Sequence, residues 1–285
     1  MTTPALGCQT ARSRTLEVNG LRLHALESGL PGHSPVCLLH GGAAHAHWFD
    51  AVTPALGARH HVLVLDQRGH GESAWANPPA YATEDFVADL AGILDHLGWD
   101  RVTLVGHSMG GHNAMAFAAW HPHRVRALVI VDARPSIPAE RLDRMHARGR
   151  RPPRRYPTRE AAGETFRLLP PDTVADPALL AHLGRASVVA RDGGFASRFD
   201  PAADGARRPA DVWPLLGGIT GPTLIVRGEL SPILPRAMAD RMRETIPDAA
   251  LVEIPGAYHH LMLDRPAAFT AALDVFLRRI GGAGG

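Results

Sequence analysis

Residues 102–111 read Val102-Thr103-Leu104-Val105-Gly106-His107-Ser108-Met109-Gly110-Gly111. An apolar, β-branched run stops at a glycine, a serine follows two residues later, and Met109 to Trp120 continues with the pattern of a helix. The segment therefore predicts a strand, a sharp turn and a helix, with Ser108 at the turn in a G-x-S-x-G pattern. Backbone strain at such a turn leaves no room for side chains beside it, and Gly106, Gly110 and Gly111 supply that room. The helix start at Met109 aims its dipole at Ser108 and favours negative charge developing there. Ser108 is the candidate nucleophile.

Outward from this turn, short apolar runs bounded by Gly, Pro and Asp predict strands at Leu21–Leu26, Val36–Leu39, Val62–Leu65, Val102–Val105, Ala127–Val131, Thr223–Val226 and Leu251–Ile254. Most are continuous rather than alternating, which means burial on both faces and a parallel sheet covered by helices. Helical patterns at Thr83–Leu97, Met109–Trp120, Pro235–Ile246 and Pro266–Arg279 alternate with them, so the expected class is α/β with a mostly parallel central sheet flanked by helices. Residues 134–214 break the rhythm with many Pro, Arg and Asp residues and short amphipathic pieces such as Ala178–Ala190. They read as an inserted helical cap over the strands' carboxyl ends, which leaves 1–133 and 215–285 as the core.

Length and composition agree with one catalytic domain plus an insertion: 285 residues, 45% hydrophobic and 20% charged, ordinary for a globular enzyme. Met1 to Gly20 contain no apolar run long enough for a signal-peptide core, and no segment reaches membrane-spanning length, so a cytoplasmic protein is expected. The net charge is +2. All the basic residues are arginines nearly balanced by acidic ones, which implies neither nucleic acid nor an anionic membrane as partner. Two cysteines, Cys8 in a polar tail and Cys37 in an apolar run, offer neither a disulfide framework nor a thiolate metal site. No period of self-similarity recurs. The length leaves oligomeric state open.

A serine hydroxyl is a poor nucleophile until an imidazole takes its proton, and the chain holds 17 histidines. His259 follows the run Leu251–Ile254 by one short loop, with His260 its near rival. His40-Gly41-Gly42 follows another strand end. The Gly42 N–H at that strand end and the Met109 N–H beside Ser108 are expected to form an oxyanion hole.

With four stretches in this order, His40-Gly41-Gly42, Asp66-Gln67-Arg68-Gly69-His70-Gly71-Glu72-Ser73, the serine turn, and Gly256-Ala257-Tyr258-His259, the chain resembles an α/β-hydrolase fold enzyme from about Leu21 to Arg279. The resemblance implies Ser108 as nucleophile and His259, whose distance to Asp264-Arg265-Pro266 resembles the family's terminal histidine loop, as general base. It also implies that Asp66 and Arg68 pair behind the site to hold loops. The chain departs from the commoner pattern at the acid. Ser231 in Gly228-Glu229-Leu230-Ser231-Pro232 stands where an aspartate is usual. Asp132, at the end of Ala127–Val131, is the candidate acid, since some family members draw it from that strand, and Glu229 is the alternative.

His45 and His47 form an H-x-H beside the oxyanion loop, but Trp48-Phe49-Asp50 follow and no further histidine pair completes a metal site. His45, His47, Trp48 and His107 are expected to line or support the substrate entrance. Arg148, Arg150, Arg151, Arg154 and Arg155 could attract an anionic substrate, or could form a solvated loop broken by Pro152 and Pro153. Together these readings imply hydrolysis of a carboxylic ester, lactone or thioester of a small molecule through an acyl-enzyme, with no cofactor and no metal. Carbon–carbon bond hydrolysis with the same triad stays open, as does a non-catalytic ligand receptor, for which Ser231 is the encouragement.

Overall fold

The computed structural model describes residues 11–282, so Cys8 lies outside the described residues. The strands are β1 (Arg12–Val18), β2 (Leu21–Ser28), β3 (Pro35–Leu39), β4 (His61–Asp66), β5 (Val102–His107), β6 (Val125–Val131), β7 (Thr223–Gly228) and β8 (Ala249–Ile254). They form one eight-stranded sheet in the order β1-β2-β4-β3-β5-β6-β7-β8. Pairing is antiparallel from β1 through β2 to β4 and parallel from β4 to β8.

The continuous apolar runs are explained by burial on both faces. Side chains alternate along a strand, so Leu63, Leu65, Leu104, Leu128 and Ile130 enter one core while Val62, Val64, Val105, Val129 and Val131 enter the other. Helices α1 (Thr83–Leu97), α2 (Met109–Trp120) and α3 (Arg236–Thr245) cover the first face with Ile93, Met115 and Met242. Helix α4 (Pro266–Gly282) covers the second with Phe269 and Leu273. Helix α1 begins where the Ala82 N–H donates to the Asp85 carboxylate at 2.7 Å and ends at Gly98 with φ 65°, a left-handed C-cap.

Strand β1 was not expected. Its sequence Arg-Ser-Arg-Thr-Leu-Glu-Val is polar and only Leu16 and Val18 are buried. It is a strand because it pairs with β2 residue for residue, from Arg12 opposite Glu27 to Val18 opposite Leu21. Edge-strand formation is set by such pairing more than by propensity.

Between β6 and β7, residues 134–214 hold the helices Ala139–Gly149, Arg159–Glu164, Pro177–Ala186 and Ala202–Gly205, and also strands, which were not expected. Arg155–Tyr156, Gly194–Ser197 and Val188–Arg191 make a small antiparallel sheet. The amphipathic stretch from Ala178 is helical only to Ala186. Val188–Arg191 turns back on Gly194–Ser197 through Asp192-Gly193, both with positive φ, the hairpin geometry that Asp-Gly favours. Arg207–Arg208 pairs parallel with Tyr81–Ala82 of the core. The Asp264 carboxylate ties the insertion to the core from the other side, accepting from Thr173 Oγ1 at 2.5 Å and from the Val174 N–H at 3.0 Å. No helix among the described residues is long and apolar enough to cross a membrane.

Candidate active site

Strand β5 ends at His107, and Ser108 takes φ 51°, ψ −115° before α2 begins. A non-glycine residue there is strained, and the neighbours hold it in place. The Ser108 N–H donates to Val131 O at 3.0 Å and the Gly110 N–H to His40 O at 3.1 Å. A Cβ on Gly106 would stand 2.4 Å from Gly110 O, one on Gly110 2.3 Å from Leu39 O, and one on Gly111 2.5 Å from Ala133 Cβ. Backbone atoms block the first two positions, so a strand-to-helix turn this tight needs glycine at both.

Three side chains from separate loops converge on this turn. Ser108 Oγ lies 3.0 Å from His259 Nε2, and His259 Nδ1 lies 2.8 Å from Asp132 Oδ1. A carboxylate can only accept, so Nδ1 carries the imidazole proton and Nε2 is free to accept from the serine hydroxyl. Asp132 is fully buried at the tip of β6 with φ 45°. Its carboxylate also accepts from the Ser231 hydroxyl at 2.5 Å on Oδ1 and from the Gly228 N–H at 2.9 Å on Oδ2. The serine at the unexpected position therefore serves the aspartate, and its Oγ accepts in turn from the Ile233 N–H at 3.1 Å. Burial disfavours charge on both partners: it raises Asp132, against the opposing hydrogen bonds of Ser231 and Gly228, and lowers His259, which the nearby Arg141 cation lowers further. Burial and the nearby cation both favour the neutral imidazole, the form that a general base requires.

Glu229 is elsewhere. It is exposed, and its Oε2 accepts from the Gly256 N–H at 2.7 Å. His260 turns away from Ser108, with Nε2 3.2 Å from Pro170 O and its ring edge-on to Trp48.

Ser108 opens on a cavity of about 310 Å³ whose wall includes Gly42, Ala43 and Met109 from the core and Ile137, Met145 and Leu169 from the insertion. The N–H groups of Gly42 and Met109 donate to no group among the described residues. The loop bearing Gly42 is held from below. Gln67 Nε2 donates to His40 O at 2.7 Å, the Gln67 N–H to His40 Nε2 at 3.0 Å, and Asn113 Nδ2 to Gln67 Oε1 at 2.9 Å.

The expected Asp66–Arg68 pair does not form. Arg68 grips Asp89 of α1 with Nε and Nη2, each at 2.6 Å. Asp66 instead accepts from the Ala46 and Glu72 N–H groups at 2.7 and 2.9 Å and from His24 Nδ1 at 2.8 Å. Arg68 is too well matched by the planar fork geometry to Asp89 to turn inward. Both residues still hold loops, with different partners.

The cavity wall also omits the four residues expected at the substrate entrance. His45 is buried, its Nε2 3.0 Å from Ser187 Oγ of the insertion. His47 pairs with Asp50 at 3.0 Å. Trp48 is buried against His107 and His260. His107 Nε2 donates to His259 O at 3.1 Å and so fixes the histidine loop. Each of the four packs against a polar or aromatic partner off the cavity wall. Two groups have metal-ligand spacing among the described residues, His107/His259/His260 and His47/Asp50/His182. In the first, His259 is engaged by Ser108 and Asp132. In the second, Asp50 accepts from both histidines, at 3.0 Å each.

Of the arginine run in the insertion, Arg150, Arg151, Arg154 and Arg155 face solvent, and Arg148 is bound to Asp204 at 2.6 Å. Arg148 lines the cavity together with arginines that the sequence did not single out, Arg134, Arg141, Arg144 and Arg207. The only available signal was the position of Arg134 two residues beyond Asp132.

Residues 34–168 match the model of the alpha/beta hydrolase fold family. The chain is 30% identical over 270 residues to a 2-(acetamidomethylene)succinate hydrolase of Mesorhizobium japonicum, covering 93% of this chain and 95% of that one. It is 32% identical over 257 residues to a putative carbamate hydrolase, RutD, of Variovorax paradoxus, covering 86% of this chain and 91% of that one. Among solved structures, that of an E-2-(acetamidomethylene)succinate hydrolase superposes with a TM-score of 0.84 at 27% identity, covering 94% of this chain and 99% of that one.

Proposed function

Because the chain belongs to the α/β-hydrolase fold family, we propose that it is a serine hydrolase cleaving a carboxylic ester, lactone or thioester of a small organic substrate through an acyl-enzyme on Ser108. One observation carries this reading: the hydrogen-bonded chain Ser108–His259–Asp132, with links of 3.0 and 2.8 Å, ends at a cavity beside two free N–H groups. His259 Nε2 takes the serine proton as Oγ attacks the carbonyl carbon, and Asp132 stabilises the imidazolium that forms. The carbonyl oxygen becomes an oxyanion between the Gly42 and Met109 N–H groups. His259 then delivers the proton to the leaving group, the acyl-enzyme forms, and water activated by the same imidazole releases the acid. The insertion, residues 134–214, acts as the cap that selects the substrate, because Ile137, Met145 and Leu169 supply its side of the cavity.

A fluorophosphonate probe tests the nucleophile. Labelling of the wild type that is lost in Ser108→Ala is expected, and an unlabelled wild type would refute the reading. The relative named for carbamate hydrolysis favours a second reading, cleavage of a carbon–nitrogen bond by the same groups. Matched p-nitrophenyl esters and p-nitroanilides separate the two once each rate is divided by its uncatalysed rate: a larger acceleration for the ester supports the ester reading, and a larger acceleration for the anilide the second.

A further inference from the structure

The wall of the Ser108 cavity carries Arg134, Arg141, Arg144, Arg148 and Arg207 against one carboxylate, Asp204. Asp204 is bound to Arg148 at 2.6 Å, and Arg144 reaches Glu140 at 4.0 Å on the exposed face of its helix. Arg207 is 1% exposed. Its Nη1 and Nη2 donate to Tyr81 O at 3.2 Å and Asn113 Oδ1 at 2.9 Å, and its guanidinium stacks 4.7 Å over Phe86. Arg134 and Arg141 have no ion-pair partner among the described residues. The Nε of Arg134 is buried and without a hydrogen-bond partner. Arg141 is surrounded by like charges, those of Arg134, Arg148 and Arg144, and its cation acts on His259.

Buried donors are almost always satisfied, and a charged one left bare is costly. Two guanidiniums on the wall of the nucleophile's cavity, with the one carboxylate of that wall taken by Arg148, form a site lacking an anion. Guanidinium geometry matches planar carboxylates in a bidentate manner. We infer that the substrate of this site carries a carboxylate, separate from the acyl group that Ser108 attacks, and seats it against Arg134 and Arg141. The inference rests on the hydrolase reading of the site. It places recognition in the insertion and at the tip of β6, and it leaves the exposed run Arg150 to Arg155 without a part in it.

The test measures binding apart from turnover. Dicarboxylates from malonate to adipate, each paired with its diamide, are titrated calorimetrically into the wild type, Arg134→Met and Arg141→Met. The best dicarboxylate is expected to bind the wild type on the order of 10- to 100-fold more tightly than its diamide, and each variant is expected to lose most of that difference. The wild-type comparison needs no variant to fold. In parallel, p-nitrophenyl hydrogen glutarate is expected to exceed its methyl ester in kcat/KM by a similar factor. Equal binding of every dicarboxylate and its diamide overturns the inference. So does undiminished binding in both folded variants, or inorganic phosphate binding more tightly than any dicarboxylate. Dicarboxylate selectivity without turnover or fluorophosphonate labelling supports the anion site and overturns the hydrolase reading alone.

Discussion

Replacing Asp132 by asparagine inverts the proton on His259, and the structure dictates why. The Oδ2 position faces the Gly228 N–H at 2.9 Å, a donor that only a carbonyl oxygen can satisfy, so the new side-chain amide must place its NH2 group where Oδ1 was. That NH2 then faces His259 Nδ1 at 2.8 Å and Ser231 Oγ at 2.5 Å and donates to both. A neutral imidazole that accepts at Nδ1 carries its proton on Nε2, which can no longer accept from Ser108. Asp132 is fully buried, so water cannot stand in, and Glu229 is occupied by the Gly256 N–H. The corresponding change in the well-studied serine protease triad costs roughly 10⁴ in kcat, equivalent to about 5 kcal/mol of transition-state stabilisation. The assay is steady-state hydrolysis of an activated ester by the wild type, D132N and E229Q, with thermal midpoints to verify folding. E229Q should retain activity within about twofold, as expected of an exposed substitution away from the reacting atoms. D132N within tenfold of the wild type, or E229Q as impaired as D132N, would refute the assignment of the acid.

Ser231→Ala removes one donor to the Asp132 carboxylate and the acceptor of the Ile233 N–H; kcat should fall roughly tenfold, with a fall of a few degrees in thermal midpoint for the lost buried hydrogen bonds, and an unchanged kcat would separate Ser231 from the reaction. The acid limb of kcat/KM should lie below the ordinary imidazole value of about 6.5. Burial and Arg141 depress His259, while Asp132 holds it from the other side and His107 and His260 pack against it. A lower value keeps the base unprotonated, and hence active, to lower pH; a limb at or above 6.5 contradicts the depressed base. Gly106→Ala would place a methyl 2.4 Å from Gly110 O and 2.7 Å from Gly111 Cα. A loss of at least about 2 kcal/mol, read as a fall of several degrees in thermal midpoint, should result, and an unchanged midpoint would show that the turn can relax.

The family resemblance reaches the site because the site's backbone chemistry is local. A serine on a strand-to-helix turn needs glycines at fixed offsets, and doubly buried strands need continuous apolar runs, so β3 to β7, α1, α2 and the Ser108 turn could be read from the order of residues alone. His259 could be read from its place after the last strand. Long-range partners could not. Strand β1 is polar and becomes a strand only by pairing with β2, and the hairpin at Asp192-Gly193 becomes visible only when Val188–Arg191 meets Gly194–Ser197. Arg68 reaches Asp89 rather than Asp66, and His45, His47, Trp48 and His107 find partners outside the cavity. The choice between Asp132 and Glu229, carboxylates on neighbouring strand ends, and the gathering of Arg134, Arg141 and Arg207 around one cavity, depend on how segments far apart in the chain pack. Periodicity and turn chemistry act over a few residues, whereas hydrogen-bond partners and charge neighbours are selected by the whole fold.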